Sequence, residues 1–235
     1  MKFSFVIPAL NEEKYISKCI NSIKKQINKN DEIIIVDNGC QDKTTEIAKK
    51  LGCVIVKEKN KGISHARNKG AKQAKGDILC FIDADGVINK NWLKEAREKL
   101  SDTKLMAVSG INIFCHPKLT KKIIYNTYTL VIYLFLIIFK ILTGKSFLPG
   151  NNLAIRKDIF NQLKGFEPFV AEDYWFSKKF WKLRNNKAVL SLKMIIYYSS
   201  RGFDQAGFLK TIICWSKSLL RKTGQEKYDY KNKNL

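Results

Sequence analysis

Within the first hundred residues, short and almost wholly apolar runs alternate with segments of helical period, and this alternation constrains the fold more than any other feature of the chain. KFSFVIP is the first strand; Ile16, Cys19, Ile20, Ile23 and Ile27 then recur three and four apart, on one face of a helix. EIIIVDN is the second strand, and Asp42 is the expected N-cap of a helix TTEIAKKL that Gly52 ends. CVIVKE follows, then a helix capped by Ser64 that carries Ala66, Ala71 and Ala74 and stops at Gly76. ILCFI is the fourth strand, with Asn89 the expected cap of NWLKEAREKL. Strands apolar at consecutive positions are buried on both faces, which is the signature of a parallel sheet covered by helices. The expected fold is an α/β/α sandwich of Rossmann-like type with a mostly parallel central sheet. Such sheets bind ligands beyond the carboxyl ends of their strands. That edge collects Pro8 to Glu12, Asp37 to Asp42, Lys59 to Arg67 and Asp83 to Gly86.

The second half is less regular. MAVSG and INIFC are strand candidates, followed by an apolar helix over residues 123–142, the segment NNLAIRK, a helix DIFNQLKG, a helix EDYWFSKKFWKLR, a strand MIIYYSS and an amphipathic helix around FLKTIICWSKSLL. The division expected is a ligand-binding half over 1–110, a second half of the same domain over 111–222, and a polar tail over 223–235.

One edge segment poses an electrostatic problem. ILCFIDADG places Asp83 and Asp85 two apart at the end of a buried strand, in a chain with 43 Lys and Arg against 21 Asp and Glu and a net charge of +22. Two carboxylates that close repel, and buried charge is costly without a partner, so a cation is expected between them. Two hard oxygen ligands suit Mg²⁺ or Mn²⁺, which keeps waters and accepts phosphate oxygens. Standing alone, the pair reads more readily as an acidic turn.

It does not stand alone. FVIPALNEEKYISKCINSI, IIIVDNGCQDKTTEIA, NKGISHARNKGAKQAKGDILCFIDAD and PGNNLAIRKDIFNQLKGFEPFVAEDYWFSKKF together resemble, in order and spacing, the sequence blocks of glycosyltransferase family 2, over about residues 3–185. The resemblance implies a GT-A fold and inverting transfer from a nucleoside-diphosphate sugar, with Mg²⁺ or Mn²⁺. It implies that Pro8, Ala9, Asn11 and Glu12 wrap the nucleotide. Asp37 reads base or ribose; its neighbour is Asn38, where many members carry a second Asp. Arg67 lies near the diphosphate, Asp83 and Ala84 face the ribose or metal, and Asp85 with Asp83 holds the metal. Gly150, Asn151 and Asn152 form the floor under donor sugar and acceptor, beside Glu172, and Arg201 meets the diphosphate or the acceptor. Asp173 is the general base. Members of the family sometimes add a histidine ligand; here no His follows His116, so water or phosphate would complete the coordination.

The chemistry requires such a base, because a hydroxyl that attacks the anomeric carbon must lose its proton. Structural roles compete with these: Glu172 and Asp173 suit the first turn of a helix, where acids offset the macrodipole, and an Arg on a basic helix is commonly solvated.

The apolar run over 123–142 is near the length of a membrane span. Asp85 and Asp173 must meet around one substrate, and a single crossing between them would separate them. A buried core helix, or an interfacial or re-entrant one, remains, and LVIYLFLIIF is apolar all round. With the charge of +22, peripheral attachment to an anionic membrane is expected, and with it a sugar or polyprenyl-phosphate-type acceptor. The six cysteines form no C-x-x-C pair and read as reduced core residues, and the N-terminal apolar stretch is too short for a signal peptide. The expected location is cytoplasmic, at the inner face of the cell membrane. The competing reading is a basic, non-catalytic membrane- or nucleic-acid-binding protein on a degenerate transferase fold; the retained Asp83, Asp85 and Asp173 argue against it, and against nucleic acid as partner.

Overall fold

The computed structural model of the chain describes residues 1–169 and 171–213. The polar tail, Cys214 and the later part of the expected helix FLKTIICWSKSLL lie outside the described residues.

The first hundred residues build β1 (Phe3–Ala9), α1 (Ile16–Lys24), β2 (Glu32–Asp37), α2 (Thr44–Lys50), β3 (Val54–Lys57), α3 (Ile63–Gln73), β4 (Ile78–Ile82), the two-residue β5 (Val87–Ile88) and α4 (Trp92–Leu100). The rest adds β6 (Ala107–Cys115), α5 (Leu119–Thr143), β7 (Asn152–Arg156), α6 (Lys157–Gln162), α7 (Glu172–Phe180), β8 (Ala188–Ser199) and α8 (Arg201–Ala206). All the strands join one sheet in the order β3-β2-β1-β4-β7-β6-β8-β5. β3, β2, β1 and β4 are mutually parallel; β7 runs antiparallel to both β4 and β6, and β6 and β8 are parallel.

The period of two along β1 explains why its neighbours must be apolar on both sides. Phe3, Phe5 and Ile7 pack on one face with Ile16, Cys19, Ile20 and Ile23 of α1 and Trp92 of α4. Val6, with Ile34, Val36 and Phe81, packs on the other face with Ala66 and Ala71 of α3 and Phe160 and Phe176 of α6 and α7. The approach of α3 is close enough that a Cβ on Gly70 would lie 2.4 Å from Val6 Cγ1.

Several local expectations are corrected. MAVSG and INIFC are one strand, β6, whose register against β8 shifts between Ser109 and Ile111. The caps move by one or two residues: Lys43, Gly62 and Asn91 precede α2, α3 and α4, rather than Asp42, Ser64 and Asn89. Asp42 still accepts the Thr44 N–H at 3.0 Å, whereas the Asn89 amide donates instead to Lys193 O at 3.1 Å. α5 extends beyond 123–142 at both ends and closes on Gly144 in the left-handed region (φ 69°). It is not a core helix: 6% of its most apolar stretch is buried.

Candidate active site

The carboxyl edge of β4 makes the turn Asp83-Ala84-Asp85-Gly86, closed by the Gly86 N–H on Asp83 O at 2.9 Å. Ala84 points into the core at 3% exposure, which sends the carboxylates on either side of it the other way, both half-buried. Each then meets an arginine, Asp83 one 16 residues earlier in α3 and Asp85 one far along the chain.

Arg67, in α3, donates from Nη2 to Asp83 Oδ1 at 2.8 Å and from Nη1 to Glu172 Oε1 at 2.5 Å. It is 2% exposed, so it is not the solvated arginine of a basic helix. Burial alone would pull its pKa down, but Asp83 and Glu172 hold it charged, above its ordinary value. Space for the guanidinium depends on Gly150: a Cβ there would lie 2.6 Å from Nη1. Arg201, at the start of α8, donates from Nη2 to both oxygens of Glu12 at 2.5 Å, and its Nε lies 3.4 Å from Asp85 Oδ2. Its guanidinium stacks 4.4 Å from the centroid of the Tyr15 ring. The positive charge demanded by the aspartate pair is thus supplied first by two arginines.

Asp85 remains poorly compensated. Burial, and then the neighbouring Asp83, push its carboxyl up to about 7 against the pull of Arg201. Among the described residues no three His, Cys, Asp or Glu side chains are grouped to hold a metal. The two carboxylates of Asp83 and Asp85 are a partial set of hard oxygen ligands, and that fits Mg²⁺ or Mn²⁺ completed by water and phosphate rather than a metal enclosed by protein.

Glu172 and Asp173 form the first turn of α7, entered through Ala171 at φ 57°, a left-handed conformation that costs a residue with a Cβ. Burial and then Glu172 push the Asp173 carboxyl up to about 7, with Arg67 opposing. Its Oδ1 accepts the Tyr174 N–H at 2.8 Å. Asp173 thus occupies the helix start with a carboxyl whose protonated form burial favours.

The remaining expected site residues divide. Pro8 lies near the end of β1, paired with Val36, and Asn11 in the loop that follows; Asn11, at φ 56°, accepts the Gln41 N–H at 2.8 Å. Ala9 is buried and its carbonyl takes the Asn38 N–H at 3.0 Å. Glu12 is fixed by the Thr44 hydroxyl, which accepts its N–H at 2.7 Å. Asp37 Oδ1 accepts the N–H groups of Gly39 and Cys40 at 3.0 and 2.8 Å. Two of them are buried and bonded to backbone groups. Asn38 is 4% exposed, and its amide ties down the following loop through Glu58 O, Asn60 O and the Gly62 N–H. Asn152 is wholly buried under the floor, accepting the Trp92 indole N–H at 2.9 Å and donating to Ile111 O at 3.0 Å. Asn151 stays half-buried, with its carbonyl accepting the Tyr198 O–H at 2.5 Å. Tyr15, Asn112 and Tyr198 complete the site and were not legible; nothing marks them in the sequence beyond their place in ordinary helical and strand patterns.

An open α/β sheet that gathers these carboxylates at the edge of its parallel strands defines a GT-A fold. The sequence model of Glycosyl transferase family 2 matches residues 4–164, and the chain belongs to that family. It is 32% identical over 225 residues to the poly(ribitol-phosphate) beta-N-acetylglucosaminyltransferase TarS of Staphylococcus aureus, covering 86% of this chain and 36% of that protein. It is 34% identical over 122 residues to the glycosyltransferase AglE of Haloferax volcanii, covering 48% of this chain and 40% of that one. The chain thus spans well under half the length of these relatives. Among solved structures, S. aureus TarS in complex with UDP superposes with a TM-score of 0.64 at 25% identity, over 85% of this chain and 60% of that one. The mannosyltransferase PcManGT of Pyrobaculum calidifontis, in complex with GDP-Man and Mn²⁺, shares the fold at a TM-score of 0.65 and 18% identity, over 94% and 65% of the two chains.

Proposed function

We propose that the chain is the catalytic unit of an inverting glycosyltransferase that moves a sugar from a nucleoside-diphosphate sugar to an acceptor hydroxyl. The observation that carries this reading is the Arg67 bridge, which joins Asp83 at the donor edge to the helix turn holding Asp173. Asp37 and the loop from Pro8 to Glu12 flank the same edge and would enclose the nucleotide. Asp83 and Asp85 would hold Mg²⁺ or Mn²⁺, which when bound offsets the charge that grows on a departing diphosphate. Arg201 would leave Glu12 and Asp85 to meet that diphosphate, since its guanidinium faces the same carboxylates.

Asp173 would take the proton of the attacking hydroxyl. A carboxyl with its pKa near the working pH is suited to that transfer. A base is needed for a hydroxyl and superfluous for an ionised phosphate, which favours a sugar hydroxyl, such as that of a lipid-linked glycan, over a bare polyprenyl phosphate. The likeness to TarS, whose structures include a complex with UDP-GlcNAc, favours a uridine diphosphate donor. The five described cysteines are free thiols, in keeping with work at the cytoplasmic side.

The test is Asp173→Asn, assayed for donor binding and for transfer separately. Donor affinity should persist while transfer falls about 10²–10⁴-fold. If donor binding and transfer fell together, Asp173 would be part of the donor pocket and not the base.

A further inference from the structure

α5 is amphipathic in the inverted sense. Four of its polar side chains are bonded to the protein. Tyr125 donates its O–H to Asp204 at 3.0 Å, and Asn126 donates to Phe114 O while accepting the Phe114 N–H, both at 2.9 Å. Tyr133 accepts the Asn112 N–H at 2.9 Å, and Lys140 donates to Ala188 O at 2.7 Å. Asn126, Tyr133 and Lys140 are spaced by two turns, so they form one stripe. The apolar side faces out: Ile123, Leu130, Val131, Phe135, Ile138 and Ile141 are between 55% and 76% exposed. A helix on a water-soluble domain turns its apolar stripe inward. This one has its polar requirements met by the protein and its apolar stripe unpaired, which suits a helix whose outer medium is not water.

The same contacts fix its orientation. They hold the helix along its length, from the Lys121 and Tyr125 contacts with Asp204 to the Lys140 contact with Ala188. At about 1.5 Å per residue the 25 residues extend about 37 Å. A helix fastened lengthwise to the sheet cannot cross a bilayer without carrying the domain into it, so it must lie in the plane. Two features select lipid over a protein partner. Residues 119–143 contain lysines and no carboxylate, exposed Lys118, Lys122, Lys145 and Lys210 flank the apolar face, and the chain carries +22 overall. The apolar surface also continues onto a second element: Leu209 and Ile213 are 72% and 53% exposed, beside Phe208, whose ring lies 5.2 Å from that of Tyr125.

We propose that the outward face of α5, with Leu209 and Ile213, docks in the plane of an anionic lipid bilayer. The docked helix is joined to the site: Asn112, held through its N–H by Tyr133, donates to Asn151 Oδ1 at 3.3 Å and accepts from Asn152 Nδ2 at 3.1 Å. On the glycosyltransferase reading, on which this clause alone rests, the floor for the acceptor is held against the membrane surface, where a lipid-linked acceptor is delivered.

The experiment is flotation of the full chain with vesicles, without donor. With vesicles of phosphatidylglycerol and phosphatidylcholine the protein should float, at least tenfold more than with phosphatidylcholine alone, and high salt should reduce the difference. The double substitution Phe135→Glu, Ile138→Glu, at exposed positions, should abolish flotation and leave the melting temperature unchanged. Asp173→Asn should float like the parent chain, so failure of the transfer reading leaves docking intact. A parent chain that stays at the bottom with both vesicle types overturns the proposal, as does a double variant that floats unchanged. A lipid-free dimer that the double substitution dissociates, with no flotation, would assign the face to a second copy of the chain and also overturn it.

Discussion

Arg67 donates to Glu172, 105 residues further along the chain, at 2.5 Å, while its other terminal nitrogen holds Asp83 at 2.8 Å. One buried guanidinium thereby sets the distance between the turn after β4 and the first turn of α7. Removing one member of a buried ion pair leaves the others uncompensated, at a cost of about 3–5 kcal/mol. Arg67→Met should therefore lose stability of about that size in urea unfolding. Arg67→Lys should recover little, because a single ammonium cannot bridge two carboxylates in a planar fork. A methionine variant as stable as the parent would show that the bridge contributes nothing net.

The pH dependence follows from Asp173, pushed up to about 7 by burial and Glu172. Acting as a base it must be ionised, so transfer should decline as pH falls below about 7, and the residual rate of Asp173→Asn should lack that limb. Stability has the opposite sign. An unfolded chain ionises this carboxyl near 4, so between about 4 and 7 the folded state holds the additional proton. Stability is then lost as pH rises through that window. Asp173→Asn should remove its own share of that slope, leaving the share of Asp85, whose carboxyl is likewise pushed up to about 7, and should gain about 1–3 kcal/mol relative to the parent at pH 8. Urea unfolding at pH 5 and 8 measures both slopes.

Metal dependence should separate Asp85 from the arginine network. Asp85→Ala is expected to abolish Mn²⁺ binding by calorimetry and to reduce transfer to the level seen with EDTA, while the fold survives. The mutation removes a carboxyl that burial and Asp83 already disfavour in its charged form. Full activity in that variant, or indifference to EDTA, would remove the divalent ion from the reaction.

Gly150→Ala tests how tightly the floor is packed. The added Cβ would meet Arg67 Nη1 at 2.6 Å and Cζ at 2.9 Å, and the guanidinium has carboxylates on two sides, which limits its freedom to move. Overpacking of this kind costs about 1–3 kcal/mol. The thermal transition should fall accordingly, and transfer should fall further than donor binding, because the displaced arginine also orients the turn that holds Asp173.

Much of the site was legible because chemistry at a sheet edge is local. The turn after β4 carries Asp83 and Asp85 two apart, with Ala84 buried between them, and that spacing is visible in the sequence. Glu172 and Asp173 are a recognisable first helical turn, and the family blocks ordered these pieces correctly. The burial of Asn38 and Asn152 is not legible, for a common reason. An asparagine in a loop looks available in sequence, but here the amides meet backbone groups of Glu58, Asn60 and Gly62 in one case and Ile111 in the other. The caps of α2, α3 and α4 shifted because several polar residues at each helix start compete for the same role.

The sequence by itself determined the order of strands and helices from β1 to β4 and α4, since apolar period reports which faces are buried, and it determined the acidic turn after β4 and the acidic start of α7. The tertiary structure alone decided which charges meet. Arg67 and Glu172, and likewise Arg201 and Glu12, 189 residues apart, become partners only when the sheet brings its ends to one edge. It also decided which side of α5 faces the protein. A run of Leu, Ile and Phe carries no preferred face, whereas Asn126, Tyr133 and Lys140 acquire one when β6 and β8 supply their hydrogen-bond partners. Satisfying those few polar groups turns the apolar remainder outward.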